Sequence, residues 1–270
     1  MNGIWGKENS LAKAFWETGR AGIPVYDMHG HMGSHNAIYF NCCEPGDMAE
    51  YLRKCGITRL VFSHHEALFS TLRNVKVYDI CKQYPDVFRM YVSINPNYPD
   101  RIKEDLAMYD KWAPYAVGLK CLPDYHGVAI DDKRFQYALD FAEERALPVL
   151  CHTWGGSQNN GGQNLLRIAE RYHKLQFMLG HSIYGDWDAA QKCVNDFAGN
   201  FYLELTAIPG ERNTIEDLVR RVGSKKILFG TDMPWFDEYM SIGGVLSAEI
   251  TEDDMRNILY RNAQKILGEN

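Results

Sequence analysis

Eight short apolar runs recur along the chain: VYDM at 25–28, RLVF at 59–62, RMYVSI at 89–94, AVGLK at 116–120, PVLC at 148–151, QFML at 176–179, FYLEL at 201–205 and KILF at 226–229. Their start-to-start spacings are 34, 30, 27, 32, 28, 25 and 25 residues. A strand, a helix and their two connections take about 30 residues, so this series predicts eight consecutive strand–helix units. An open doubly wound sheet alternates in the same way, but eight evenly spaced units favour closure into a (β/α)8 TIM barrel.

The segments between the runs carry the helical period. Phe135, Ala138, Leu139 and Ala142 fall at i, i+3, i+4 and i+7, as do Leu165, Ile168, Ala169 and Tyr172. Ala190, Cys193, Val194 and Phe197 repeat the pattern, and so do Ile215, Leu218, Val219 and Val222. One apolar stripe per helix suits an outer layer lying on a sheet. Thr214 and Thr251 each precede two or more acids, as a capping hydroxyl at a helix start would. A final helix with Met255, Ile258, Leu259, Ile266 and Leu267 is expected to close over the barrel or dock on its side. No linker divides the chain, so residues 1–270 read as a single domain with its core at about 24–268. A short N-terminal extension, amphipathic around Leu11, Phe15 and Trp16, precedes that core.

Composition narrows the function. A net charge of −6 without a basic cluster argues against nucleic-acid partners. No stretch approaches the roughly 18 apolar residues of a membrane span, and no secretory leader is apparent, so a cytoplasmic location is expected. The seven cysteines form no CxxC and fall in apolar surroundings, as reduced core thiols do. Chemistry on a small molecule is what remains.

The polar residues at the ends of the apolar runs show where that chemistry lies. His29 and His31 follow the first run, His152 the fifth, His181 the sixth and Asp232 the eighth. In a closed barrel these C-terminal ends meet on one face. Residues two apart on an extended segment share a side, so His29 and His31 can aim at one divalent ion, with His152 and Asp232 as further ligands and one position left for water or substrate. Asp27 is expected to face the same way, as an acceptor that orients an imidazole ahead of a weaker ligand. His181 is suited to proton transfer, with a further ligand as the alternative. Lys120, at the end of the fourth run, is expected to receive a substrate carboxylate or, if carbamylated, to bridge two ions. Trp154, Tyr184 and Trp235 supply aromatic walls for a substrate. Of the adjacent pair His64 and His65, only one can face the pocket, and His126 falls in a loop. The glycine- and asparagine-rich stretch 155–162 reads as a flexible lid. Cys151, beside His152 on the same strand, points away from it, which disfavours a thiol nucleophile.

DMHGH at 27–31, GLK at 118–120, CHT at 151–153, GHSIYG at 180–185, FGTDMPW at 229–235 and NAQKIL at 262–267 form an ordered set. Over residues 24–268 the chain thereby resembles the amidohydrolase superfamily, specifically its amidohydrolase-2 branch of aminocarboxymuconate-semialdehyde decarboxylase-like enzymes. The resemblance implies a distorted (β/α)8 barrel holding one divalent metal ion, zinc ahead of manganese, on His29, His31, His152 and Asp232. It implies His181 as the acid/base residue and an unmodified Lys120. The leading expectation is a metal-dependent hydrolase that attacks a small carboxylated lactone, ester or amide with metal-activated water. The alternatives are non-oxidative decarboxylation of an aromatic or unsaturated carboxylic acid and a non-catalytic metal-binding barrel. The substrate is expected to be small and anionic, and the protein a homodimer using surface from 1–22 and 34–45.

Overall fold

The structure, a computed structural model, describes residues 9–269. All eight apolar runs become parallel strands: β1 (Tyr26–Met32), β2 (Arg59–His64), β3 (Phe88–Ile94), β4 (Ala116–Cys121), β5 (Pro148–Trp154), β6 (Gln176–Tyr184), β7 (Asn200–Glu204) and β8 (Ile227–Leu228). They lie side by side in chain order in one sheet. The ring closes where β1 meets the chain leaving β8. Met28 N–H donates to Phe229 O at 3.0 Å, and His31 N–H to Met233 O and Asp232 N–H to His29 O at 2.6 Å each. The expected TIM barrel is the observed fold.

Two apolar layers hold it. Met28, Val61, Tyr91, Leu150, Met178, Tyr202 and Leu228, one from each of seven strands, fill the barrel interior. Fully buried side chains leave no room for water, so this is a packed core and not a pore. The Tyr91 hydroxyl, isolated in that core, is satisfied by donating to Met28 O at 2.9 Å. The outer layer receives the helical stripes. Phe135, Ala138, Leu139 and Ala142 of the helix Lys133–Arg145 are all buried, as are Ala190, Cys193 and Val194 of Trp187–Asn195.

The terminal segments cover the ends. The chain from Glu252 to Leu267 places Ala263 and Ile266 against the interior layer, so the last helix closes the barrel at the N-terminal end of its strands. Asn262 fastens it there by donating to Ser224 O at 2.8 Å and to Ile227 O at 2.7 Å. The N-terminal helix Ser10–Thr18 buries Leu11 and Phe15 but leaves Trp16 59% exposed, so the extension's stripe is narrower than expected. Thr251 caps its helix in a reciprocal pair with Asp254. Thr214 does not cap. Asn213 takes the cap position in a left-handed conformation, and the Thr214 hydroxyl turns back to Glu211 Oε2 at 3.2 Å. No helix among the described residues is long and apolar enough to cross a membrane.

Candidate metal centre

The site is built at the C-terminal ends of the strands, and β1 contributes most to it. Its register against β2 slips between Asp27 and Gly30, a bulge that inserts one residue. Met28 therefore fills the interior layer while His29, next in sequence, also turns inward above it. Asp27 faces outward, contrary to the expectation from period two. Its carboxylate accepts from His29 N at 2.8 Å and Thr231 N at 3.2 Å, and it lies beside the buried Glu238. Burial pushes Asp27 up to about 7. It braces the backbone joining β1 to the Asp232 loop and does not touch an imidazole.

The orienting acceptor is Glu204, at the end of β7. Its Oε2 lies 2.8 Å from His29 Nδ1 and accepts from His181 N at 3.2 Å, while Oε1 accepts from Thr206 N and Oγ1 at 2.7 Å each. A carboxylate on Nδ1 fixes the tautomer whose Nε2 carries the lone pair, the form a metal ligand needs. Glu204 lies inside the FYLEL run, one residue short of its end, and belongs to no motif. A single acid within an otherwise apolar strand is the sequence signal that marks it.

Across the barrel mouth, His29 Nε2 and His31 Nε2 stand 3.2 and 3.0 Å from Asp232 Oδ1. Ser63 Oγ, 3.1 Å from His31 Nδ1, orients the second imidazole. The three donor atoms lie within 4.8 Å of one another. Burial lowers both histidines below their usual pKa, keeping them neutral as ligands must be. Burial alone would raise Asp232, but His29, His31 and His181 outweigh it and hold this carboxyl well below the carboxylate range. Its Oδ1 is buried without a hydrogen-bond partner. Two neutral imidazoles and one carboxylate whose Oδ1 is orphaned suit a divalent ion of the zinc or manganese kind.

Lys120 lies beneath these donors, fully buried, with Nζ 2.6 Å from His29 Nε2. Burial lowers its ammonium to about 8. It does not line the cavity above. His152 stands apart from the converging three. Its Nδ1 is 2.9 Å from His181 Nε2. His181, Ser182 and Ile183 all have left-handed backbone, with φ of 62°, 54° and 55°. For a β-branched residue such as Ile183 this is costly, and such strain concentrates at functional sites. Burial holds His181 at about 4, and its Nδ1 is enclosed with no partner.

Above the donors opens a cavity of about 200 Å³. Trp154 and Trp235 line it as expected, joined by Phe69, Tyr125 and Phe236. Tyr184 stands behind, stacked on Trp154 with centroids 4.5 Å apart, and does not reach the cavity. Of the pair after β2, His65 lines the cavity and His64 packs against Gly33. His126 is tied to Leu68 O at 2.9 Å, outside the lining. The stretch read as a lid is pinned: Ser157 Oγ and Asn160 Nδ2 donate to Asp124 at 2.6 and 2.9 Å. Burial puts the enclosed Cys151 thiol well above its usual pKa, so no thiolate nucleophile arises there. Phe69 and Tyr125 follow the ends of β2 and β4, where loops of a barrel build its site, although no motif marks them.

A family model described as amidohydrolase matches residues 26–268. No curated protein sequence matches the chain. Among solved structures, it is similar to a dihydroxybenzoic acid decarboxylase of Polaromonas sp. JS666 with bound manganese, at 16% identity and TM-score 0.72, covering 91% of this chain and 97% of that one. A 5-carboxyvanillate decarboxylase of Novosphingobium aromaticivorans complexed with manganese matches at 12% identity and TM-score 0.69, covering 92% and 96%. A probable 2-pyrone-4,6-dicarboxylic acid hydrolase of Acinetobacter baumannii matches at 14% identity and TM-score 0.66, covering 91% and 100%. At these identities the likeness is one of fold.

Proposed function

The chain belongs to the amidohydrolase family, and from that premise we propose that it is a metal-dependent, non-oxidative decarboxylase of a small aromatic carboxylic acid. The observation that carries this is a cavity walled by Trp154, Trp235, Phe69, Tyr125 and Phe236 directly above His29, His31 and Asp232. Flat apolar walls take a ring, and the polar floor takes its carboxylate. The similar decarboxylases of aromatic acids point the same way.

His29, His31 and Asp232 would hold a divalent ion, with His152 as the candidate fourth donor, and the ion would supply Lewis-acid polarisation of the substrate's carboxylate. This chain's residues do the rest. Trp154, backed by Tyr184, and Trp235 keep the ring in place and exclude water. Lys120, buried under the donors, offsets the anionic charge of the substrate. His181, hydrogen-bonded to His152 at the cavity floor, relays one proton from solvent to the ring carbon bearing the carboxylate. The C–C bond then breaks, its electrons stay with the ring, and carbon dioxide leaves. The balance is one carboxylate and one proton in, one arene and one carbon dioxide out.

Hydrolysis is favoured by a different observation: the unpartnered His181 Nδ1 could take a proton from attacking water. The two readings separate in deuterium oxide and ¹⁸O-water. We expect metal-loaded protein given 2,6-dihydroxybenzoate or 5-carboxyvanillate to release carbon dioxide and return an arene carrying one ring deuterium. Absence of carbon dioxide from both, with ¹⁸O entering a lactone such as 2-pyrone-4,6-dicarboxylate, would replace decarboxylation by hydrolysis.

A further inference from the structure

His65 opens the short helix that follows β2 and touches three parts of the site at once. Its ring lies parallel to that of His31, with centroids 4.8 Å apart and planes at 8°. Phe40, from the loop after β1, stacks on it at 5.8 Å and 11°. Both ring nitrogens are engaged. Nδ1–H donates to Gly33 O at 2.8 Å, and Nε2 accepts the indole N–H of Trp235 at 3.2 Å. These two bonds fix one tautomer and one ring orientation. The first ties down the backbone two residues past His31, and the second aims an indole into the cavity.

We propose that His65 is a positioning residue that orients His31 toward the metal ion through the ring stack and holds Trp235 as a cavity wall by accepting its indole proton. The first half rests on the reading of His31 as a metal ligand; the second needs no metal. A phenylalanine can stack but not accept, and a glutamine can reach the Nε2 position but not stack. The two halves of the role are therefore separable.

The test uses the full chain and two readouts: solvent exchange of the Trp235 indole N–H by ¹⁵N NMR, assigned with Trp235→Phe, and the dissociation constant for Mn²⁺ by electron paramagnetic resonance. For His65→Phe we expect Trp235 exchange to rise about tenfold or more, because its acceptor is lost, while Mn²⁺ affinity stays within about threefold. For His65→Gln we expect near-native Trp235 exchange and Mn²⁺ affinity weakened by about tenfold. If His65→Phe fails to fold, His65→Asn, whose short amide neither stacks nor reaches the Nε2 position, should move both readouts. Unchanged Trp235 exchange in His65→Phe or His65→Asn overturns the proposal, and so does native Mn²⁺ affinity in His65→Gln. Equal loss of Mn²⁺ affinity in the Phe and Gln variants would reduce His65 to packing and also overturn it. Neither readout requires turnover, so absence of carbon dioxide in the decarboxylation assay would leave this inference standing.

Discussion

Replacing Glu204 with glutamine tests whether this carboxylate prepares His29 for a metal ion. Four donors converge on it: His29 Nδ1, the backbone N–H of His181, and the N–H and hydroxyl of Thr206. A glutamine keeps the volume but has only one accepting oxygen. With that oxygen toward His29 and His181, the amide NH2 meets both Thr206 donors. The Thr206 hydroxyl can rotate to accept, but its N–H is stranded, at a cost of about 1–3 kcal/mol. The side chain is fully buried, so the amide cannot turn to water instead. The bond to His29 also loses its charge assistance, roughly halving its strength. Loss of such an acceptor typically weakens metal binding about 10- to 100-fold, or about 1.4–2.7 kcal/mol. Urea unfolding of the metal-free protein and chelator competition for the metal measure the two terms separately. A folded Glu204→Gln protein whose metal affinity stays within about twofold of the parent would refute the reasoning.

Further outcomes are expected elsewhere. His181→Asn should retain metal while turnover falls about 10²-fold, whereas His29→Ala and His152→Ala should lose both; equal metal depletion in all three would make His181 a ligand. Lys120→Met should raise KM more than it changes metal affinity, and an anomalous-difference map should show one ion per chain beside an unmodified amine; two peaks bridged by a carbamate would contradict this. Burial lowers the pKa of His126, which is remote from the metal donors, so the unfolded chain takes up a proton first as pH falls. Its contribution to stability is full above about 6.5 and lost as pH drops toward the folded-state value, by up to about 1.4 kcal/mol per pH unit. His126→Gln should flatten that slope in denaturant titrations, and an unchanged slope would discount the residue. A homodimer is expected, using exposed Tyr39 and Trp16, and a sedimentation mass near 31.0 kDa would count against it.

The barrel was legible in the sequence because its determinants are local. A buried parallel strand needs a short apolar run, an outer helix needs one stripe, and a unit of about 30 residues leaves a visible period. The converging His29, His31 and Asp232 were legible for a related reason. They stand at run ends, as His152 and His181 do, and a closed barrel gathers those ends on one face whatever the details of packing. Trp154 and Trp235 followed from the same rule.

What lay beyond the sequence depends on register and on which groups meet across the barrel. Period two would turn Asp27 inward with His29, but the bulge in β1 breaks the alternation, and only pairing with β2 reveals it. Glu204 reaches His29 from β7, 175 residues away, and no spacing rule connects them. The depth of Lys120, the bond that turns His152 toward His181, and the displacement of Tyr184 behind Trp154 are likewise decided by contacts between different strands and loops. His65 was one of two adjacent histidines with no local reason to choose between them. The choice is made by Gly33 and Trp235, which close on its two nitrogens from opposite ends of the chain. Run, stripe and period are written residue by residue, whereas the partner of each buried polar atom is set by strand register and barrel closure, which exist only once the chain has folded.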